Sequence, residues 1–209
     1  MKAIENWKPL RCTVAVCSLF ILFSPACGYA ETAFDTAVAL HDKASEQPDA
    51  ATVEQAKKLL EPLAEKSALA KAYLGSIITI EAAVAAENKN GIKALALLGK
   101  GSDLIDEAVS SEPDNADLRF LRMINGYGVS IDSPHNRFKV VRTDLDWLDS
   151  RKTQFSPRLQ GTIALYKGLY LAKSRTLDEA LEAFDTCIAV SPGSPEAAEA
   201  EKQLARYSE

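Results

Sequence analysis

Gly161-Thr-Ile-Ala-Leu-Tyr-Lys-Gly168-Leu-Tyr-Leu-Ala-Lys-Ser-Arg-Thr-Leu-Asp-Glu-Ala180-Leu-Glu-Ala-Phe184-Asp-Thr-Cys187-Ile-Ala-Val-Ser-Pro192 is the stretch from which the fold is read. Leu159, Ile163, Tyr166 and Tyr170 recur at helical spacing, and so do Ala180, Leu181, Phe184 and Ile188, which predicts two helices with one apolar stripe each. Gly168 lets the pair approach where a side chain would hold it apart, and Ala180 is expected opposite. Phe184 is expected to fill the space against the next pair, and Pro192, with no N–H to give, stops the second helix.

Working outward, the same spacing predicts helices along the rest of the chain. Phe34, Val38 and Leu40 open one that stops near Glu46-Gln-Pro48, and Asp49 caps the next, with Val53, Ala56, Leu60 and Leu63 on one face. A third runs from about Ala68 through Tyr73, Ile77 and Ile80, and a fourth from about Ile92 to Val109 with Leu104, Ile105 and Ala108 inward. Pro113-Asp-Asn115 stops it, and a fifth spans Ala116 to about Tyr127. Gly128-Val-Ser-Ile-Asp-Ser-Pro134 reads as the one sizeable loop. Phe138, Val141, Leu145 and Leu148 define the sixth helix, Pro157 opens the seventh, Thr176 caps the eighth, and Glu196 to Tyr207 forms the ninth. No segment sustains the alternation of a strand, so the fold class is all-α.

The set Gly168, Ala180, Phe184 and Pro192 resembles the tetratricopeptide repeat, most closely over residues 161–194. Leu74-Gly75 with Ala108 and Pro113 is similar to a second unit whose middle is longer than the family's by up to about four turns of helix. Ala44, Ala56, Leu60 and Leu63 resemble a divergent first unit without its proline. Pro113 to Arg122, Pro134 to Arg137 and Asp144 to Trp147 look similar to a group of poorly characterised bacterial exported tetratricopeptide-like proteins, which lends no activity. The resemblance implies a right-handed superhelix of antiparallel helix pairs, a tetratricopeptide-like solenoid, over residues 31–209 with a C-terminal capping helix. It also implies a groove that accepts a peptide or helix from a protein partner.

The N-terminus predicts export. Lys2, Lys8 and Arg11 precede the apolar run Cys12 to Phe23, and Gly28-Tyr-Ala30 before Glu31 supplies a cleavage site. Residues 1–30 are therefore expected to be a signal peptide and the mature chain to be periplasmic or secreted, with no span left after cleavage. An uncleaved anchor and a lipid on Cys27 are the alternatives, although Ser24 stands where a lipid-attachment site favours leucine. Removing Lys2, Lys8, Arg11 and Glu5 turns 24 basic and 29 acidic residues into 21 and 28, a formal charge of −7. An acidic surface without a basic run does not fit nucleic acid. Only Cys187 survives cleavage; alone it cannot form an internal disulfide or a thiolate metal site, and its spacing predicts a small buried residue.

Little in the sequence points to an enzyme, a metal or a cofactor. His41 and His135 stand far apart and are expected at the surface. Gly99-Lys-Gly-Ser102 falls inside a helix without the glycine spacing or preceding strand of a phosphate loop. Asp144 with Asp146, and Asp178 with Glu179, are expected to be solvated or to support helix starts. The polar cluster that stands out is Arg119, Arg122 and Asn125, three residues apart on the fifth helix, with Arg137 beyond the loop. It is either a cradle for a partner's carboxylate or an internal network with Asp117, Asp144 or Asp146. The first function expected is a scaffold or adaptor for an envelope assembly or transport system. The other is a small-ligand receptor or enzyme with a pocket under the 128–134 loop.

Overall fold

The computed structural model describes residues 28–207, with side chains from residue 32 onward. Residues 1–27 of the expected signal, with Cys12, Cys17 and Cys27, lie outside them. Nine helices are found among the described residues, at the places the apolar spacing assigns: α1 (Gly28–Glu46), α2 (Ala50–Ala64), α3 (Ala68–Glu87), α4 (Gly91–Ser111), α5 (Ala116–Asp132), α6 (Phe138–Asp149), α7 (Pro157–Lys173), α8 (Leu177–Val190) and α9 (Pro195–Tyr207). The chain divides at Asn136–Arg137 into two compact units, α1–α5 and α6–α9.

Side chains ahead of the helices set their starts. Asp49 accepts from the Thr52 N–H at 2.8 Å, Ser67 from Ala70 at 3.2 Å, Asn90 from Lys93 at 3.2 Å and Asn115 from Asp117 at 3.0 Å. Each satisfies an N–H that the first turn leaves without a partner. The hydrogen bond expected of Thr176 is not made. Its hydroxyl donates to the Leu171 carbonyl at 3.1 Å and binds the end of α7 instead of the start of α8.

α5 runs five residues beyond Tyr127, through Gly128 to Asp132, so the expected loop shrinks to residues 133–137. Glycine in a helix costs about 1 kcal/mol, but burial of Val129 against Ala82, Ala85, Ala94 and Leu98 outweighs it.

In the first unit α3 is the centre: it packs against α1, α2, α4 and α5. α1, α3 and α5 form one row, while α2 and α4 pack on its other side. Ala37, Ala44, Val53, Ala56, Leu60 and Ile77 share one core among α1, α2 and α3. α3 is long and apolar enough to cross a membrane, with half of its apolar window buried inside the protein. In the second unit α7 packs against α6, α8 and α9, around Ile163, Leu165, Phe184 and Cys187, all at most 1% exposed.

The pairs α3–α4 and α7–α8 are built alike. Both turn through a non-glycine residue in the left-handed region, Lys89 at φ 61° and Arg175 at φ 64°. The Asn90 N–H reaches back to Ala85 and the Thr176 N–H to Leu171, the six-to-one bond of a Schellman turn. Both second helices end alike, with the Glu112 N–H on the Ala108 carbonyl and the Ser191 N–H on that of Cys187, followed at once by Pro113 and Pro192. Gly75 precedes Lys89 by 14 residues and Gly168 precedes Arg175 by 7; Ile105 follows Lys89 by 16 and Phe184 follows Arg175 by 9. Between crossing and turn, each helix of the first pair is thus seven residues longer. Seven residues make about two turns, so the lengthening keeps every face in register.

Candidate interaction site on helices α1, α3 and α5

Two close crossings hold the pairs. A Cβ on Gly75 would stand 2.5 Å from the Gly101 carbonyl oxygen and 2.7 Å from Ile105 Cγ1. In α7 a Cβ on Gly168 would stand 2.5 Å from Phe184 Cε1, so the residue facing it is Phe184, and Phe184 fills space inside its own pair. Ala180 is fully buried one turn before it, as Ala108 is one turn after Ile105. Gly101 takes the place in α4 that Ala180 takes in α8, four residues before the larger side chain.

The row of odd-numbered helices carries a polar connection. Asn125 of α5 donates from Nδ2 to Thr79 Oγ1 at 2.7 Å and to Ser76 Oγ at 3.2 Å, both on α3. Thr79 passes its proton to the Ser76 carbonyl at 2.7 Å. Ser76 Oγ lies 2.8 Å from His41 Nε2 on α1, and His41 Nδ1 lies 3.3 Å from Asp42 Oδ1. Ser76 Oγ, which accepts from Asn125, has both a proton and a second lone pair to offer Nε2, so the tautomer of the ring sets the direction of that bond. His41, Ser76 and Thr79 are 4%, 5% and 7% exposed. The surface position expected for His41 is thus wrong: its ring is packed edge-on against Tyr73, centroids 5.1 Å apart, and Phe34 closes on Tyr73 at 5.6 Å. Buried polar groups that satisfy one another fix the register of three helices as apolar contacts alone do not.

Arg119, Arg122 and Asn125 reach different neighbours. Arg119 Nε donates to the Pro113 carbonyl at 2.7 Å and ties α5 to the turn before it. Arg122 Nη1 pairs with Asp106 of α4 at 3.3 Å, with its side chain 12% exposed. Asn125 reaches across the row to α3, and Arg137 belongs to the second unit, ahead of α6. The expected pairing with Asp117 is not made: burial alone pushes the Asp117 carboxyl up, with no cation against it. Asp146 pairs with Arg142 at 3.6 Å within α6. Asp144, expected to be solvated, is fully buried, because its place in α6 lies one turn from Val141 and Leu148 on the inward face.

Other half-buried carboxylates have cations of their own. Burial opposes ionisation of Glu81, yet Lys57 at 2.7 Å and Lys93 at 3.3 Å hold its carboxyl below the ordinary value. Burial likewise opposes ionisation of Asp149, and Lys167 at 2.8 Å with Lys152 at 3.0 Å reverses it. The second unit has an open cleft of about 320 Å³ between α6, α7 and the start of α8, lined by Leu145, Tyr170, Leu171, Arg142, Lys167 and Glu179. Cys187 is fully buried, as its spacing predicts, and burial pushes its thiol up to about 11. Among the described residues no three His, Cys, Asp or Glu side chains come together as metal ligands.

These elements define the class: an all-helical protein of packed antiparallel helix pairs, two of which share turns, ends and crossing glycines or their equivalents. No family model matches the chain, and neither a characterised protein nor a solved structure does.

Proposed function

We propose that the chain is an exported, non-enzymatic scaffold or adaptor that binds a segment of a protein partner along the row α1, α3 and α5, and that it serves an envelope assembly or transport system. The observation that carries the reading is that row, three helices side by side and pinned by the Asn125–Ser76–His41 connection. Rigid neighbouring helices offer a long surface on which a peptide or helix can lie without reordering the protein. Two pairs with the same turns and ends support the finer reading, a tetratricopeptide-like superhelix closed by α9. Export rests on the charged, apolar and small-residue order of residues 1–30 and predicts a mature chain beginning at Glu31.

Affinity capture from envelope extracts, followed by hydrogen exchange on the captured complex, tests the reading. Protection should fall on exposed amides and side-chain neighbours of α1, α3 and α5. Protection confined to α2 and α4 would refute it.

One arrangement favours a second reading. Ser76, His41 and Asp42 stand in the order of a nucleophile, its base and the group that orients the base. Yet Ser76 is 5% exposed, its oxygen accepts from Asn125, and it lies mid-helix where the backbone N–H groups serve the helix ladder. A fluorophosphonate that labels Ser76 in the folded protein would establish the hydrolase reading over the scaffold.

A further inference from the structure

Among the described residues three large apolar side chains stand exposed: Ile92 at 87%, Leu95 at 40% and Leu177 at 40%. All three follow closely on the two matched turns, Ile92 and Leu95 after Lys89, and Leu177 after Arg175. A single exposed leucine needs no explanation. Ile92 and Leu95 do, because they stand one turn apart on α4, and Ala96 and Gly99 continue the same face. The four positions lie within about a third of the helix circumference. Ala96 is exposed, and a Cβ on Gly99 would meet nothing within 4 Å. The first two turns of α4 therefore carry an apolar face that the first unit leaves largely open, and Asp103 ends it.

The charge beside this face is of one sign. Between Glu87 and Asp103 the chain holds Lys89, Lys93 and Lys100 and no acid, in a protein whose formal net charge is −5. Lys93 and Lys100, seven residues apart, share the side of α4 next to the apolar face, and Lys89 stands on the turn at its end. Lys93 reaches Glu81 at 3.3 Å yet keeps its side chain 55% exposed, and Lys57 already matches that carboxylate at 2.7 Å. Lys89 and Lys100 are exposed and make no ion pair among the described residues. Lys89 also holds left-handed backbone that glycine would hold at less cost.

We propose that the α3–α4 turn and the first two turns of α4 dock on an anionic lipid surface, with Ile92 and Leu95 in the apolar layer and Lys89, Lys93 and Lys100 against headgroup phosphates. Shape and charge together argue for this occupant. Ile92 projects from a helix start beside a turn, so a protein partner would need a socket for it, whereas a fluid surface closes around it. A helix with aliphatic side chains on one face and lysines beside it lies in the headgroup layer, that face about 5–10 Å deep. Long lysine stems reach back to the phosphates, and an anionic leaflet attracts them. The inference goes beyond the interaction reading and does not depend on it, because α4 packs in the layer opposite the α1–α3–α5 row.

The test floats the full mature chain with vesicles of phosphatidylcholine and phosphatidylglycerol in equal parts. The chain should float with them, be released by high salt, and stay behind with phosphatidylcholine alone. Ile92→Asp should weaken binding about tenfold or more, and Ile92→Leu should bind as the native chain does. Lys100→Gln and Lys89→Gly should each weaken it about fivefold. Lys89→Gly relaxes the left-handed turn, so its loss of binding would not come from unfolding. Lys202→Gln on α9, where the side chain is 76% exposed, should leave the affinity unchanged. Circular dichroism checks that each variant folds. Failure of the native chain to float, equal binding to phosphatidylcholine alone, indifference to Ile92→Asp, or equal loss with Lys202→Gln would overturn the proposal. So would capture of an acidic protein, lost with Ile92→Asp, by a chain that ignores the vesicles, since the occupant would then be a protein.

Discussion

Gly75 and Gly101 oppose each other across the α3–α4 crossing so closely that a Cβ on either would stand 2.5 Å from the other's carbonyl oxygen. The relation is reciprocal: Gly75 also faces Ile105, and Gly101 faces Thr79, at 2.7 Å each. Backbone cannot yield as a side chain can. The overpacking cost of alanine at either place, about 1–3 kcal/mol, should exceed the roughly 1 kcal/mol gained by replacing a helical glycine. Gly99, two residues from Gly101, meets nothing within 4 Å. Urea midpoints should therefore fall for Gly75→Ala and Gly101→Ala and rise for Gly99→Ala. A rise in all three would mean that the crossing is looser than described.

The α7–α8 crossing replaces backbone with a ring. Phe184 is fully buried and cannot swing aside for a Cβ on Gly168. Gly168→Ala should cost about 1–3 kcal/mol. In a double-mutant cycle, Phe184→Leu should recover part of that loss, a coupling of about 0.5–3 kcal/mol. Strict additivity would place the two residues out of contact.

Lys89 and Arg175 hold left-handed backbone at the two helix turns. A side chain there costs roughly 1–2 kcal/mol relative to glycine. Lys89→Gly and Arg175→Gly should each stabilise the protein by about 1 kcal/mol, part being lost to the greater freedom of the unfolded glycine. Thermal melting of the two variants checks this, and a loss at both would contradict the turn assignment.

Asp117 sets a pH dependence of definite sign. Burial raises its pKa in the folded state above the ordinary 3.8. The folded protein then holds this proton more tightly than the unfolded chain does, so this group's contribution grows as pH falls through the raised value and is unfavourable at neutral pH. Asp117→Asn should raise the neutral-pH urea midpoint, and its advantage over the native chain should vanish as pH falls toward 3.8. Glu81 and Asp149 run the other way: their stabilisation is present above ordinary carboxylate values and is lost as pH falls through their lowered ones. An Asp117→Asn advantage that persists in acid would assign the gain to something other than the charge.

Much of the fold is written in local signals. The apolar spacing through Val53, Ala56 and Leu60, the caps Asp49 and Asn115, and the stops Pro113 and Pro192 each act over a few residues and mark their helices directly. The extension of α5 is not marked, because Gly128 and Ser133 favour a break, and only the distant cluster around Val129 overrides them. The matched turns are hidden for a similar reason. Lys89 and Arg175 adopt the conformation that a sequence normally advertises with glycine. Asn125 is visible as a site residue, but its partners Ser76 and Thr79 lie 49 and 46 residues away in the chain, and His41, joined through Ser76, lies 84 away; no local pattern links them. The spacing of Arg119, Arg122 and Asn125 spreads them far enough around α5 for each to reach a different neighbour: the preceding turn, α4 and α3.

Photo-crosslinking in the living cell tests the interaction surface most directly. Benzoylphenylalanine in place of Tyr73 exchanges one aromatic for another in the middle of the α1–α3–α5 row, and the same residue at Lys58 of α2, whose side chain is 72% exposed, samples the opposite layer. The account predicts a discrete crosslinked protein from position 73 and none from position 58. The same adduct from both positions, or an adduct from position 58 alone, would contradict it.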